Sequence, residues 1–220
     1  MIAVLISANS EWRAVLDLLD PTSCLKSPFG EYFHTRVNNQ PVLFFQGGWG
    51  KVSAAASTQY VIDNFNPDML INLGTCGGLR GQAKVGDILL VTETAYYDIH
   101  ERMGDPEEAI RFYSAKLDIG EPPYPIPVRL APLASADEDI DPQKVEMLIR
   151  KFGVVAADWE SGAIAWVAKR NGMKCTILRG VTDVVSSVGG EIYDDGAVGF
   201  DERAKMIMKT LVDSLPGWIH

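Results

Sequence analysis

Residues 155–187 read VAADWESGAIAWVAKRNGMKCTILRGVTDVVSS, and the hydrophobic period changes from helical to extended inside this one unit. Ala163, Ile164, Trp166, Val167 and Ala168 form an apolar helical stripe, and Asn171-Gly172 is a helix stop signal. The run 175–181 then reads as a strand, interrupted by Arg179, with Asp183 at its end, while Glu160 stands at the start of the helix. Two carboxylates at the ends of neighbouring elements point to a cleft at the edge of a sheet, where α/β folds bind their ligands.

Working outward, residues 2–6 are a continuous apolar run expected of a strand buried on both faces, followed by a helix over about 11–19. Residues 31–37 and 41–46 read as a hairpin turned by Asn38-Asn39, which requires antiparallel pairing and hence a mixed sheet. GGWGKVSAAASTQYVIDNF, 47–65, passes from a Gly-rich turn into a helix. Lys51 invites a P-loop reading that fails, because the motif needs Gly where Phe45 stands and Ser or Thr where Val52 stands. Residues 68–91 read as strand, Gly-rich turn and strand, with Gly74, Gly77 and Gly78 suited either to a close ligand or to a tight bend. The charged, Pro-rich segment 98–128 is expected as a long loop or lid, and helices follow over about 142–152 and 201–215. The pattern predicts one α/β domain over residues 1–220, a three-layer αβα sandwich around a mixed central sheet.

Composition narrows the function classes. A net charge of −9 disfavours a nucleic-acid binder or a partner of anionic membranes, which need clustered Lys and Arg, and favours a small-molecule ligand. No apolar run approaches the roughly 20 residues of a membrane helix. The N-terminus, MIAVLISANSEW, lacks a basic n-region and a cleavage site, so a cytoplasmic location is expected. Cys24, Cys76 and Cys175 have neither metal nor redox spacing, and His34, His100 and His220 are scattered, so neither a metal nor an organic cofactor is expected.

Four segments agree in order with one family: GWGKVSAAAS at 48–57, INLGTCGGL with VGDILL across 71–90, ADWESGAIA at 157–165 and LRGVTDVV at 178–185; LASADEDI at 133–140 is a weaker fifth. The chain resembles the nucleoside phosphorylase and nucleosidase family, and is most similar to its hydrolytic branch, the 5′-methylthioadenosine/S-adenosylhomocysteine nucleosidases. The resemblance implies hydrolysis of the N-ribosidic bond of a purine nucleoside, with methylthioadenosine or another 5′-modified nucleoside as a candidate substrate, and a homodimer. A phosphate-dependent phosphorylase and a nucleoside-binding protein without turnover are the alternatives.

Cleaving such a bond builds positive charge on the sugar and sends electrons into the base, which a nearby carboxylic acid can protonate. By resemblance Asp183 is that acid and Glu160 holds the ribose hydroxyls. Thr75 lies beside the nucleophile, with Gly77 keeping the backbone close. Trp49 and Trp159 stand where the nucleosidases carry aliphatic or Met contacts to the sugar and its 5′ group. Glu11 is the candidate base for water, one residue earlier than the family spacing from Ala8, with Trp12 at the expected place. In LASADEDI, Asp139 beside Ile140 replaces an aromatic that stacks on adenine, which opens the choice of base. The phosphate-binding residues of the phosphorylases are replaced by Ser7-Ala8-Asn9 and Asn72, leaving Arg80 and Arg179 as the remaining phosphate partners and water as the expected nucleophile.

Overall fold

The computed structural model describes residues 1–186 and 189–219, the side chains of 189–198 aside; Ser187 and His220 lie outside the described residues. β1 (Ile2–Ile6) leads into α1 (Asn9–Leu19), followed by β2 (Leu25–Lys26), β3 (Glu31–Val37), β4 (Gln40–Gln46), α2 (Gly50–Phe65), β5 (Met69–Leu79) and β6 (Ile88–Tyr96). Next come α3 (Pro106–Tyr113), β7 (Ala115–Lys116), β8 (Arg129–Ser135) and α4 (Val145–Met147), the last flanked by a 3-10 turn, Pro142–Lys144, and a π turn, Leu148–Phe152. β9 (Ala156–Asp158), α5 (Ser161–Arg170), β10 (Lys174–Ser186), β11 (Gly189–Gly190) and α6 (Glu191–Trp218) complete the order.

The strands form one mixed sheet. β1 lies parallel between β4 and β5, and β3 returns antiparallel to β4 through Asn38 and Asn39, both at positive φ, the backbone a two-residue hairpin demands. Alternation along β1 divides the core into two layers. Ala3 and Leu5 pack with Ala54 and Val61 of α2 and Ile164 of α5, whereas Ile2, Val4 and Ile6 pack with Val15 of α1 and Met208 and Leu211 of α6. Helices therefore cover both faces, as the sequence predicts. The sheet also closes on itself: β10 pairs with β5 and β6, and β8 and β9 complete the ring between those two.

Three elements differ from expectation. β10 runs to Ser186, so Asp183 sits inside the strand rather than at its end, at an irregularity where Val181 faces Cys76 and Asp183 faces Gly77, with Thr182 as the extra residue. Gly74, Gly77 and Gly78 belong to β5 and not to a turn. The segment 98–128 is no plain loop, since it contains α3 and β7, and β7 pairs with β6.

Candidate functional site

A cavity of about 390 Å³ opens where β1, β5, β9 and β10 come together. Asp183, Glu11, Glu160, Trp159, Thr75, Gly77, Trp49, Asp139 and Ile140, all singled out from the sequence, line it. Residues more than 170 positions apart in the chain thus meet in one place because β1, β5 and β10 are neighbours in the sheet.

Glu11 is buried in the first turn of α1, where its Oε2 accepts from the Ala8 N–H at 3.1 Å and so caps its own helix. Its Oε1 reaches across to β5 and accepts from the backbone N–H of Thr75 at 2.6 Å and from the Thr75 hydroxyl at 2.8 Å. The first-turn role and the cavity role are therefore compatible. Trp12 faces the other way, buried in the core with its ring 5.7 Å from that of Phe33. The turn after β1 thus brings Glu11, not residue 12, to the cavity.

Glu160 is the N-cap of α5, but its carboxylate does not cap that helix. Oε1 accepts instead from the N–H of Gly50 at 3.0 Å, at the start of α2. Gly50 has a φ of +77°, and a Cβ there would come within 2.8 Å of Asp137 Oδ1, so glycine is needed for this approach. Burial pushes the Glu160 carboxyl up to about 8, with the charges of Asp158 and Glu11 adding to it against the Gly50 hydrogen bond and Arg179.

Asp183 is buried and accepts from the Thr182 hydroxyl at 2.7 Å through Oδ1. Its Oδ2 lies 3.7 Å from where a Gly77 Cβ would stand, and Ile140 Cδ1 lies 2.8 Å from the same point. Gly77 thus leaves room for Ile140 and Asp183 to share one end of the cavity. Trp159, the neighbour of Glu160 in sequence, and Trp49, adjacent to Gly50, also line the cavity; they are 36% and 61% exposed. Asp139 is an exposed carboxylate with no hydrogen bond or ion pair among the described residues, whereas its neighbour Glu138 pairs with Lys144 at 2.5 Å.

A buried ion pair lies beneath this wall. Arg179 donates through Nε to Asp158 Oδ2 at 2.8 Å and through Nη2 to Asn72 Oδ1 at 2.5 Å. Asp158 also accepts from Ser135 at 2.6 Å and from the hydroxyl and N–H of Ser161, and Asn72 donates to the Leu5 carbonyl at 2.9 Å. Arg179, expected from the sequence as a phosphate partner, is instead held by Asp158, which belongs to the same ADWES segment as Glu160. An arginine inside an apolar strand run was the signal, because a buried guanidinium requires a carboxylate. Arg80 is exposed and does not line the cavity. Among the described lining residues every charged group is a carboxylate: Glu11, Glu138, Asp139, Asp158, Glu160 and Asp183. No metal-ligating cluster occurs among the described residues.

The chain matches the Phosphorylase superfamily over residues 2–215. The 5′-methylthioadenosine/S-adenosylhomocysteine nucleosidase of Maridesulfovibrio salexigens is 31% identical over 192 residues, covering 80% of each chain. In three dimensions, the apo 5′-methylthioadenosine nucleosidase of Arabidopsis thaliana superposes with a TM-score of 0.82 at 20% identity, covering 97% of this chain and 93% of that one. A futalosine hydrolase mutant from Helicobacter pylori gives 0.73 at 18%, covering 97% of both. At such identities these two likenesses carry the fold alone. The sequence relationships go further, and the chain belongs to the phosphorylase superfamily, where it is related to the nucleosidases.

Proposed function

We propose that the protein hydrolyses the N-ribosidic bond of a purine nucleoside, 5′-methylthioadenosine or another 5′-modified nucleoside among them, releasing the free base. The observation that carries this reading is the convergence of Glu160, the Glu11–Thr75 pair and Asp183 on one cavity. Glu160 is read as the group that holds the ribose hydroxyls and fixes the ring; positive charge developing on the sugar favours its ionised form against the burial that pushes the carboxyl up to about 8. A water held by Glu11 and Thr75 attacks C1′ and gives its proton to Glu11. The bond from C1′ to the base breaks with its electron pair going to the base, which takes a proton from Asp183. The products are the base and a free ribose sugar.

Water suits this wall better than phosphate. The charged groups that a dianion would meet among the described lining residues are all carboxylates, and Arg179 is already engaged by Asp158 and Asn72. At the base end, Asp139 supplies a hydrogen-bond acceptor where the nucleosidases stack an aromatic ring, which favours a base presenting N–H donors at that edge. The same reading takes the protein as a homodimer.

The test is base release from methylthioadenosine, adenosine, inosine and guanosine, by the protein and by Asp183→Asn, with and without phosphate. Release from at least one nucleoside without phosphate is expected, falling about 10²–10⁴-fold in Asp183→Asn while nucleoside binding persists. Tight binding with no release by the unaltered protein would instead identify a binding protein, and release only with phosphate a phosphorylase.

A further inference from the structure

Lys51 is the second residue of α2, where a cation opposes the helix macrodipole. Its ammonium nevertheless stays there, paired with Asp98 Oδ2 and lying 3.7 Å from Asp137 Oδ2. Its own N–H donates to Asp137 Oδ1 at 2.7 Å, and the Asp137 N–H donates to Asp98 Oδ2 at 3.1 Å. The Tyr96 ring lies below, 5.2 Å from Nζ. Lys51 and Asp98 side chains are only 25% and 19% exposed, so water screens the pair less than a surface one. Asp98 Oδ1 is buried and makes no hydrogen bond, so the carboxylate depends on what its other oxygen meets.

Each of the three segments joined at this cation sends residues into the cavity. The start of α2 carries Trp49 and the Gly50 N–H that holds Glu160; the residues after β6 carry Tyr97; and the loop after β8 carries Glu138, Asp139 and Ile140. Lys51 itself does not line the cavity. We infer that Lys51 is a positioning residue: clamped between Asp98 and Asp137, it sets the Gly50 N–H that orients Glu160 and ties that ribose-binding end to the base-binding loop. The inference rests on the reading of Glu160 as the ribose clamp.

A double-mutant cycle separates this role from a merely structural one. Lys51→Met is expected to lower kcat/KM for methylthioadenosine about 10²-fold, the scale of a displacement of about 1 Å at a positioned group. Lys51→Arg, which keeps the charge, recovers most of the loss. In a Glu160→Ala background, which removes the acceptor of the Gly50 N–H, the same Lys51→Met change should cost less than about tenfold, because the larger part of what it positions is already lost. Should Lys51→Met fail to fold by circular dichroism, Asp98→Asn removes the ion pair from the other side and runs through the same cycle. An equal loss in both backgrounds, or no loss in either, overturns the inference. The dissociation constants for methylthioadenosine, measured by calorimetry across the same variants, decide it separately from turnover. A protein that binds the nucleoside without releasing base would refute the hydrolase reading, while the binding cycle still tests Lys51.

Discussion

Glu160 holds its proton at pH values where an exposed glutamate is ionised, because burial and the neighbouring charges of Asp158 and Glu11 raise it to about 8. In the unfolded chain it titrates near the ordinary value of 4.5. The folded state therefore binds more protons between those values, and the stability linked to this group is full below pH 4.5 and lost as pH rises through 8. Glu160→Gln should flatten the decline of Tm across that window, and an unchanged slope would show that the shift is not expressed in stability. At this scale the sequence was most informative where chemistry leaves few choices. ADWES and GVTDVV point to Glu160 and Asp183, and these line the cavity with the other seven residues read as catalytic or substrate-binding, whereas Arg80 and Arg179 do not. The register of Glu11 was harder to read, because spacing counted from Ala8 does not reveal how the chain turns after β1. The Arg179–Asp158–Asn72 network is half legible: a buried arginine calls for a carboxylate, but the members come from three strands, and only tertiary pairing identifies the partners.

Elements were legible where the period was clean and hidden where local signals conflicted. The Asn38-Asn39 hairpin and the apolar strand β1 follow from turn chemistry and continuous hydrophobicity. β5 carries three glycines, a composition that reads as a turn, yet each has a close neighbour that a Cβ would strike: Arg179 and Glu11 at Gly74, Ile140 at Gly77, Val181 at Gly78. Close packing across the sheet, not chain reversal, accounts for them. β10 hides its length similarly, since the bulge at Thr182 breaks the alternation that would extend the strand past Val181. In the segment 98–128, proline and charge masked an ordinary helix start: Asp105 accepts from the Glu107 N–H at 2.9 Å as the N-cap and Pro106 opens α3. That signal was present in the sequence and was outweighed by composition.

For the whole molecule, the three layers follow from β1 and its neighbours, whereas closure of the sheet through β10 is a consequence of pairing that no single segment announces. The surface carries a further expectation. Trp49, which lines the cavity, and Val52 are 61% and 80% exposed, and together with Phe112 at 56% they present apolar area that a second copy of the chain would cover in the homodimer we propose. Sedimentation equilibrium should return the mass of two chains; the mass of one chain would remove the dimer from the reading. Hydrolysis itself is tested most directly by running the reaction in water labelled with oxygen-18, with phosphate present, and analysing the sugar by mass spectrometry. The label is expected on C1′ of a free ribose sugar. An unlabelled sugar 1-phosphate would contradict water as the nucleophile and, with it, the hydrolytic reading of this site.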